Sequence, residues 1–192
     1  MAGQEIERFS AVGSRIIGGL GLAVVVLVAL LGVTGAGGDY HPAVYPVCGL
    51  LGLLFWATMI RPRVVVNGDD LHLHGSFSDV TVPLAAVEDV VVRQWLSVQV
   101  GGQSFTTVGV SRSHRQGVRD DRKGDATFDK SYGAIVEARL RSLAVSARDR
   151  QGVRPDSAEQ AALAEQVRRT PARVELALLA VLGVALAVTL AL

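Results

Sequence analysis

Three uncharged runs decide what this chain can fold into. Residues 16–38 hold no charged side chain, and their centre reads IIGGLGLAVVVLVALLGV. Residues 43–60, AVYPVCGLLGLLFWATMI, form a second run. VELALLAVLGVALAVTL, near the C-terminus, forms a third that is apolar except for Glu175. A hydrocarbon core about 30 Å thick takes roughly 20 helical residues. Each run meets or nearly meets that length, which predicts transmembrane helices over 16–36, 43–60 and 174–192. The first run reads as an uncleaved anchor. Its lead, MAGQEIERFSAVGSR, is long, its apolar stretch exceeds the roughly 7–15 residues of a signal core, and a second run follows at once.

Arginine placement orients the spans. Arg8 and Arg15 precede the first, Arg61 and Arg63 follow the second, and Arg168, Arg169 and Arg173 lead into the third. The connection GAGGDYHP carries no Lys or Arg, and nothing basic follows the last span. Cytoplasmic flanks carry the Lys/Arg excess. The expectation is therefore a multi-pass protein of the plasma (inner, cytoplasmic) membrane. Segment 1–15 and residues 61–173 lie in the cytoplasm, and the C-terminus lies at the outer face.

The second run empties directly into a strand pattern, LLGLLFWATMIRPRVVVNGDDLHLHGSF. RVVVN is β-branched, GDD signals a turn, and LHLHGSF alternates with period two. VTVPL and AAVEDVVVRQ continue in kind. WLSVQV-GG-QSFTTVGVS is a hairpin whose paired glycines supply the positive φ of a tight turn. Six to seven short antiparallel strands over about 63–111 predict a sandwich or barrel. Residues 112–127 are densely charged and lack apolar periodicity, which marks a loop. A helix over 129–148 then places Tyr132, Ile135, Val136, Leu140 and Leu143 on one stripe, with Asp129 or Ser131 as its cap. A linker and short helix fill 149–173, bracketed by Pro155 and Pro171.

RPRVVVNGDDLHLHGSF followed by VTVPLAAVEDVVV resembles the bacterial PH-like domain family, of the low molecular weight protein antigen 6 type. In that family an arginine–proline-flanked first strand follows a membrane span, and a strand, proline, short turn and strand come next. The resemblance covers roughly 61–145. Leu84 stands where the family usually places a large aromatic after the proline. The resemblance implies a PH-like roll, closed by the C-terminal helix, that binds something and carries no catalytic residues. Combined with the spans, the expected fold class is an α+β membrane protein. It comprises three transmembrane helices and a cytoplasmic PH-like β-roll or barrel over 61–148.

Candidate contacts follow from charge and size. Arg112, His114, Arg115, Arg119, Arg122 and Lys123 form a basic segment, with Asp120, Asp121 and Asp125 interleaved. Near an anionic leaflet each base is worth about 1 kcal/mol, an attraction that the aspartates offset in part, so the segment is a candidate for lipid headgroups or a protein partner, with a merely solvated loop as the alternative. His72 and His74 share one strand face, without a third metal ligand nearby. Trp95 reads as core or barrel rim, with membrane or partner contact as the alternative. Glu175, about a turn into its helix beside Arg173, reads as an interfacial acid that snorkels or pairs. Gly19 with Ala23, and Gly183 with Ala187 and Ala191, are small-xxx-small stripes suited to packing among the spans or against a partner.

The chemistry that is missing narrows the function classes. Net charge is +1, so whole-chain electrostatics give no case for nucleic acid. The single Cys48 builds neither a disulfide framework nor a zinc site. No phosphate loop, nucleophile elbow or HExxH is present, and GGLGLA falls inside a span. The reading is a non-enzymatic binding or scaffolding module with no cofactor, metal or evident small-molecule substrate. Its expected partners are membrane lipids and another membrane protein or complex. The alternative is an accessory or assembly subunit of a larger membrane complex.

Overall fold

The computed structural model describes residues 6–9, 12–110 and 132–191. In chain order the elements begin with β1 (Glu7–Phe9), α1 (Val12–Thr34) and α2 (Val44–Phe55), which continues through a π-helical turn, Trp56–Ile60. Strands β2 (Arg63–Asn67), β3 (Asp70–His74) and β4 (Ser78–Pro83) follow, then a 3-10 turn (Leu84–Ala86). Next come β5 (Asp89–Val92), β6 (Leu96–Val100), β7 (Gln103–Thr107) and α3 (Tyr132–Gln151). The last elements are α4 (Ala158–Ala164), β8 (Arg168–Pro171) and α5 (Arg173–Ala191). The chain divides into two compact units, Met1–Ala11 with Pro62–Thr170, and Val12–Arg61 with Pro171–Leu192.

The first unit is built from two antiparallel sheets. One has the order β1-β2-β3-β4-β8 and the other β5-β6-β7. Period-two alternation puts Val64, Val66, Leu71, Leu73, Val80 and Val82 on the buried face of the first sheet. Val90, Val92, Leu96, Val98 and Val100 fill the buried face of the second, and both join one core with Val136, Leu140, Ala144 and Ala147 of α3. Pro83 ends β4, and the Leu84 N–H donates to the Asp69 carbonyl at 2.7 Å, so the buried 3-10 turn carries the chain from one sheet to the other. The β6–β7 turn is made by Gly101 and Gly102 at φ 56° and 71°, the left-handed region that two-residue hairpins require.

Three expectations change here. The N-terminal segment contributes β1, which pairs with β2 through Glu7↔Val66 and Phe9↔Val64. The segment read as linker and short helix contributes β8 after α4. Strands of three and four residues are too short to show a period. The buried face of α3 is Gly133, Val136, Leu140, Ala144 and Ala147, while Tyr132 and Ile135 are exposed. Small residues line the close-packed side, so weighting large apolar side chains rotates the stripe the wrong way.

Polar flanks fix α3. Arg139 pairs with Glu7, Arg141 with Asp89 at 3.1 Å, and Arg148 donates to the Val87 carbonyl at 3.0 Å. Arg150 meets Asp69 at 2.5 Å. That hydrogen bond holds the Asp69 carboxyl below the usual carboxylate range, and the Gln151 amide adds to it.

In the second unit α2 lies between α1 and α5. α1, from Gly13 to Thr34, and α5 are long and apolar enough to cross a membrane; Val44–Ile60 is apolar but shorter. Glycine does bring these helices together, at other positions than expected. A methyl group built on Gly18 would lie 2.7 Å from the Met59 Cβ, and one on Gly49 2.7 Å from a Leu182 methyl. Gly19 and Gly183 face open space, and Ala23, Ala187 and Ala191 are exposed. Neighbouring helical residues point about 100° apart, so a pattern of small residues does not say which of Gly18 and Gly19 meets a neighbour.

Candidate functional site

The registers gather the unit's most informative side chains at one end. Phe9 sits opposite Val64, Arg63 opposite His74, and His74 opposite Asp79. Thr170 of β8 brings its hydroxyl to 3.5 Å from the Asp79 carbonyl. The second sheet joins at the same place. Thr107 donates its hydroxyl to the His74 carbonyl at 3.2 Å and accepts from the Gly109 N–H at 3.3 Å. Gly109 lies so close to the Arg63 backbone that a methyl group there would be 2.8 Å from its nitrogen. Phe9, Arg63 and Thr170 are also the residues beside which the chain leaves this unit. The crossings to α1, from the π turn, and to α5 are two, two and one residues long.

Trp95 belongs to this crossing end. Leu96 pairs with Thr107, which makes Trp95 and Val108 the next positions in register. They are 48% and 46% exposed. Arg93 and Gln94 complete the exposed turn before Trp95, closed by the Arg93 N–H donating to the Trp95 carbonyl at 3.0 Å. α3 runs against β5: the Glu137 carboxylate accepts the Val92 N–H at 2.9 Å, and Arg141 reaches Asp89. Tyr132 therefore extends about 7.5 Å beyond Glu137 toward the crossing end. It and Ile135 are 48% and 50% exposed.

The helical unit has a corresponding end. The Ser14 hydroxyl donates to the Met59 carbonyl at 3.4 Å, joining the start of α1 to the end of α2. The Arg61 Nε donates to Glu175 Oε1 at 2.7 Å, joining the end of α2 to the start of α5. Both side chains are nearly buried. The partner expected for Glu175 was Arg173, which is exposed; Arg61 takes its place. The π turn, closed by the Arg61 N–H on the Trp56 carbonyl at 2.9 Å, resets the helical phase just before Arg61. Arg8 and Arg15 flank the first crossing, Arg61 and Arg63 the second, Arg169 and Arg173 the third. All but Arg61 are exposed. The acids nearest the first and third crossings are engaged, Glu7 with Arg139 and Glu175 with Arg61.

The remaining sequence candidates fall elsewhere. Arg112, His114, Arg115, Arg119, Arg122 and Lys123 lie outside the described residues, as do Asp129 and Ser131. His72 Nδ1 lies 3.0 Å from the Thr81 hydroxyl, and His74 Nδ1 lies 3.2 Å from Asp79 Oδ1. Each imidazole meets its cross-strand neighbour, and no group of three or more His, Cys, Asp or Glu gathers among the described residues. Cys48 is buried in the helical unit. Away from the crossing end, an open cleft of about 540 Å³ runs between Asp70, Thr81 and Pro83 and the stretch Glu165–Arg168.

Sequence reasoning missed Val108 and the Arg61–Glu175 pair. Val108 was within reach, because counting back from the Gly101–Gly102 turn sets it opposite Trp95. The ion pair joins residues 114 apart, and no local signal announces it. The chain matches no family model, no curated protein and no solved structure.

Proposed function

We propose that this protein is a non-enzymatic binding module fixed to the cytoplasmic face of the plasma membrane. Three helices span the bilayer, and a PH-like domain engages anionic lipid headgroups or a protein partner. The observation that carries the reading is the clustering of the crossings. In the helical unit the start of α1, the end of α2 and the start of α5 share one end, and arginines flank every passage of the chain there. Arginine-rich flanks stay in the cytoplasm. The shorter helix through Ile60 fits within the range of about 17–25 residues that spans require. The RPRVVV and VPLAAVEDVVV motifs and the two-sheet unit with its packed helix support the PH-like reading. The basic segment from Arg112 to Lys123 supplies the positive charge for a headgroup or an acidic partner.

A second reading is favoured by one observation. The stripe Gly183, Ala187 and Ala191 on α5 is exposed, as are Gly19 and Ala23 on α1. An accessory subunit would pack such stripes on neighbouring subunits. Purification of the tagged full-length protein in mild detergent separates the two, by mass spectrometry of both the retained proteins and the retained lipids. The binding module is expected to retain anionic phospholipid. A stoichiometric set of membrane proteins, without lipid enrichment, would transfer the conclusion to the accessory subunit.

A further inference from the structure

We infer that Trp95 and Val108 form an interfacial anchor, a contact with the bilayer surface additional to the spanning helices. This rests on the membrane reading above and names the surface that the crossing end of the domain meets. The two residues lie one step beyond the last paired positions, Leu96 and Thr107, and roughly half of each is in solvent although Leu96 and Thr107 beside them are buried. Indole is suited to the headgroup layer, since it offers a large apolar body and one N–H donor.

Lipid is the occupant because of where the pair sits. All three passages into the apolar helices leave from this end, over one or two residues each. At no more than about 3.6 Å per residue, the longest of them reaches about 11 Å. Covalent connection alone therefore holds Phe9, Arg63 and Pro171 within about 11 Å of the helices that follow or precede them, and the pair belongs to the same end of its own unit. Charge agrees. Arg93, in the same turn, and Arg63, against which Gly109 packs, are both exposed; of the acids at this end, Asp79 lies 3.2 Å from His74 and Glu137 pairs with Arg141. Tyr132 and Ile135, at the start of α3, are also about half exposed.

The test uses the full chain reconstituted in vesicles of phosphatidylcholine and phosphatidylglycerol. The protein has two tryptophans, so Trp56→Phe leaves Trp95 as the sole emitter, and Trp95→Phe leaves Trp56. Trp95 emission is expected to fall strongly when headgroup-nitroxide lipid is included, and to resist aqueous iodide. Quenching by iodide without quenching by nitroxide overturns the anchor. Protection from both quenchers overturns it too, and points to a protein surface instead. Trp56, in its helix, must lose emission to lipids brominated on the acyl chain. If it does not, the membrane reading itself has failed, which separates the two conclusions. A spin label on Val108→Cys, in a Cys48→Ser background, keeps both tryptophans in place. It is expected to relax with lipid-soluble oxygen more than with a water-soluble nickel chelate, and the reverse order overturns the proposal.

Discussion

At the scale of single residues, the Arg61–Glu175 pair carries a large energetic consequence. Both side chains are close to buried, so removing one partner leaves an uncompensated charge in a poor solvent. Glu175→Gln is expected to destabilise the helical unit by about 3 kcal/mol or more, read as an earlier thermal transition of the detergent-solubilised protein. Replacing both residues by methionine is expected to restore most of the loss, since an apolar pair needs no compensation. A double variant as unstable as the single one would mean that the charges do more than match each other. Asp69 gives the opposite case. Its pair with Arg150 is half exposed, so Asp69→Asn is expected to cost no more than about 1 kcal/mol at neutral pH. Its pKa is lowered in the folded protein. The contribution is therefore complete above the unfolded value and lost as pH falls through the folded one. Melting temperatures of wild type and variant should converge below about pH 4; a gap that widens there would refute the assignment. The two cases differ in legibility as well. Asp69 stands in an obvious turn, GDD, but its partner is 81 residues away, as Glu175 is 114 from Arg61.

At the scale of elements, periodicity served where strands were long enough to express it. The strands β2 to β7 of the two-sheet unit follow the alternation in RVVVN, LHLHGSF and WLSVQV and the punctuation between them. The edge strands β1 and β8 escaped because what makes them strands is an available neighbour's backbone rather than their own sequence. Helix faces were harder still. Alanine and glycine are compatible with a buried face and with an exposed one, and only the neighbouring helix decides. The structure turns that ambiguity into a contrast. Gly49→Leu meets Leu182 and is expected to cost about 1–3 kcal/mol through overpacking. Gly183→Leu projects into open space and is expected to leave the melting of the isolated protein unchanged. Thermal unfolding in detergent compares them directly, and equal sensitivity at both positions would place α5 differently. If Gly183→Leu is silent in isolation yet removes a co-purifying membrane protein, the exposed stripe is a docking face for a neighbour.

At the scale of the whole molecule, the proposed topology rests on the apolar runs and the arginine flanks. The start of α1, the end of α2 and the start of α5 share one end of their unit, and Phe9, Arg63 and Thr170 share one end of theirs. A chain threaded this way leaves the α1–α2 connection at the far end of the helices. That connection carries Asp39 and no arginine or lysine, which is what the proposed orientation asks of a translocated loop. Labelling with a membrane-impermeant maleimide tests the arrangement, in a Cys48→Ser background. Asp39→Cys in the connection and Ala162→Cys in α4 are both exposed positions. Intact cells are expected to label the first and spare the second, and permeabilised cells to label both. Labelling of Ala162→Cys in intact cells would invert the orientation. The flanking arginines would then need another explanation, one in which Arg8, Arg63 and Arg169 answer to a partner outside the cytoplasm rather than to the rule that retains them inside.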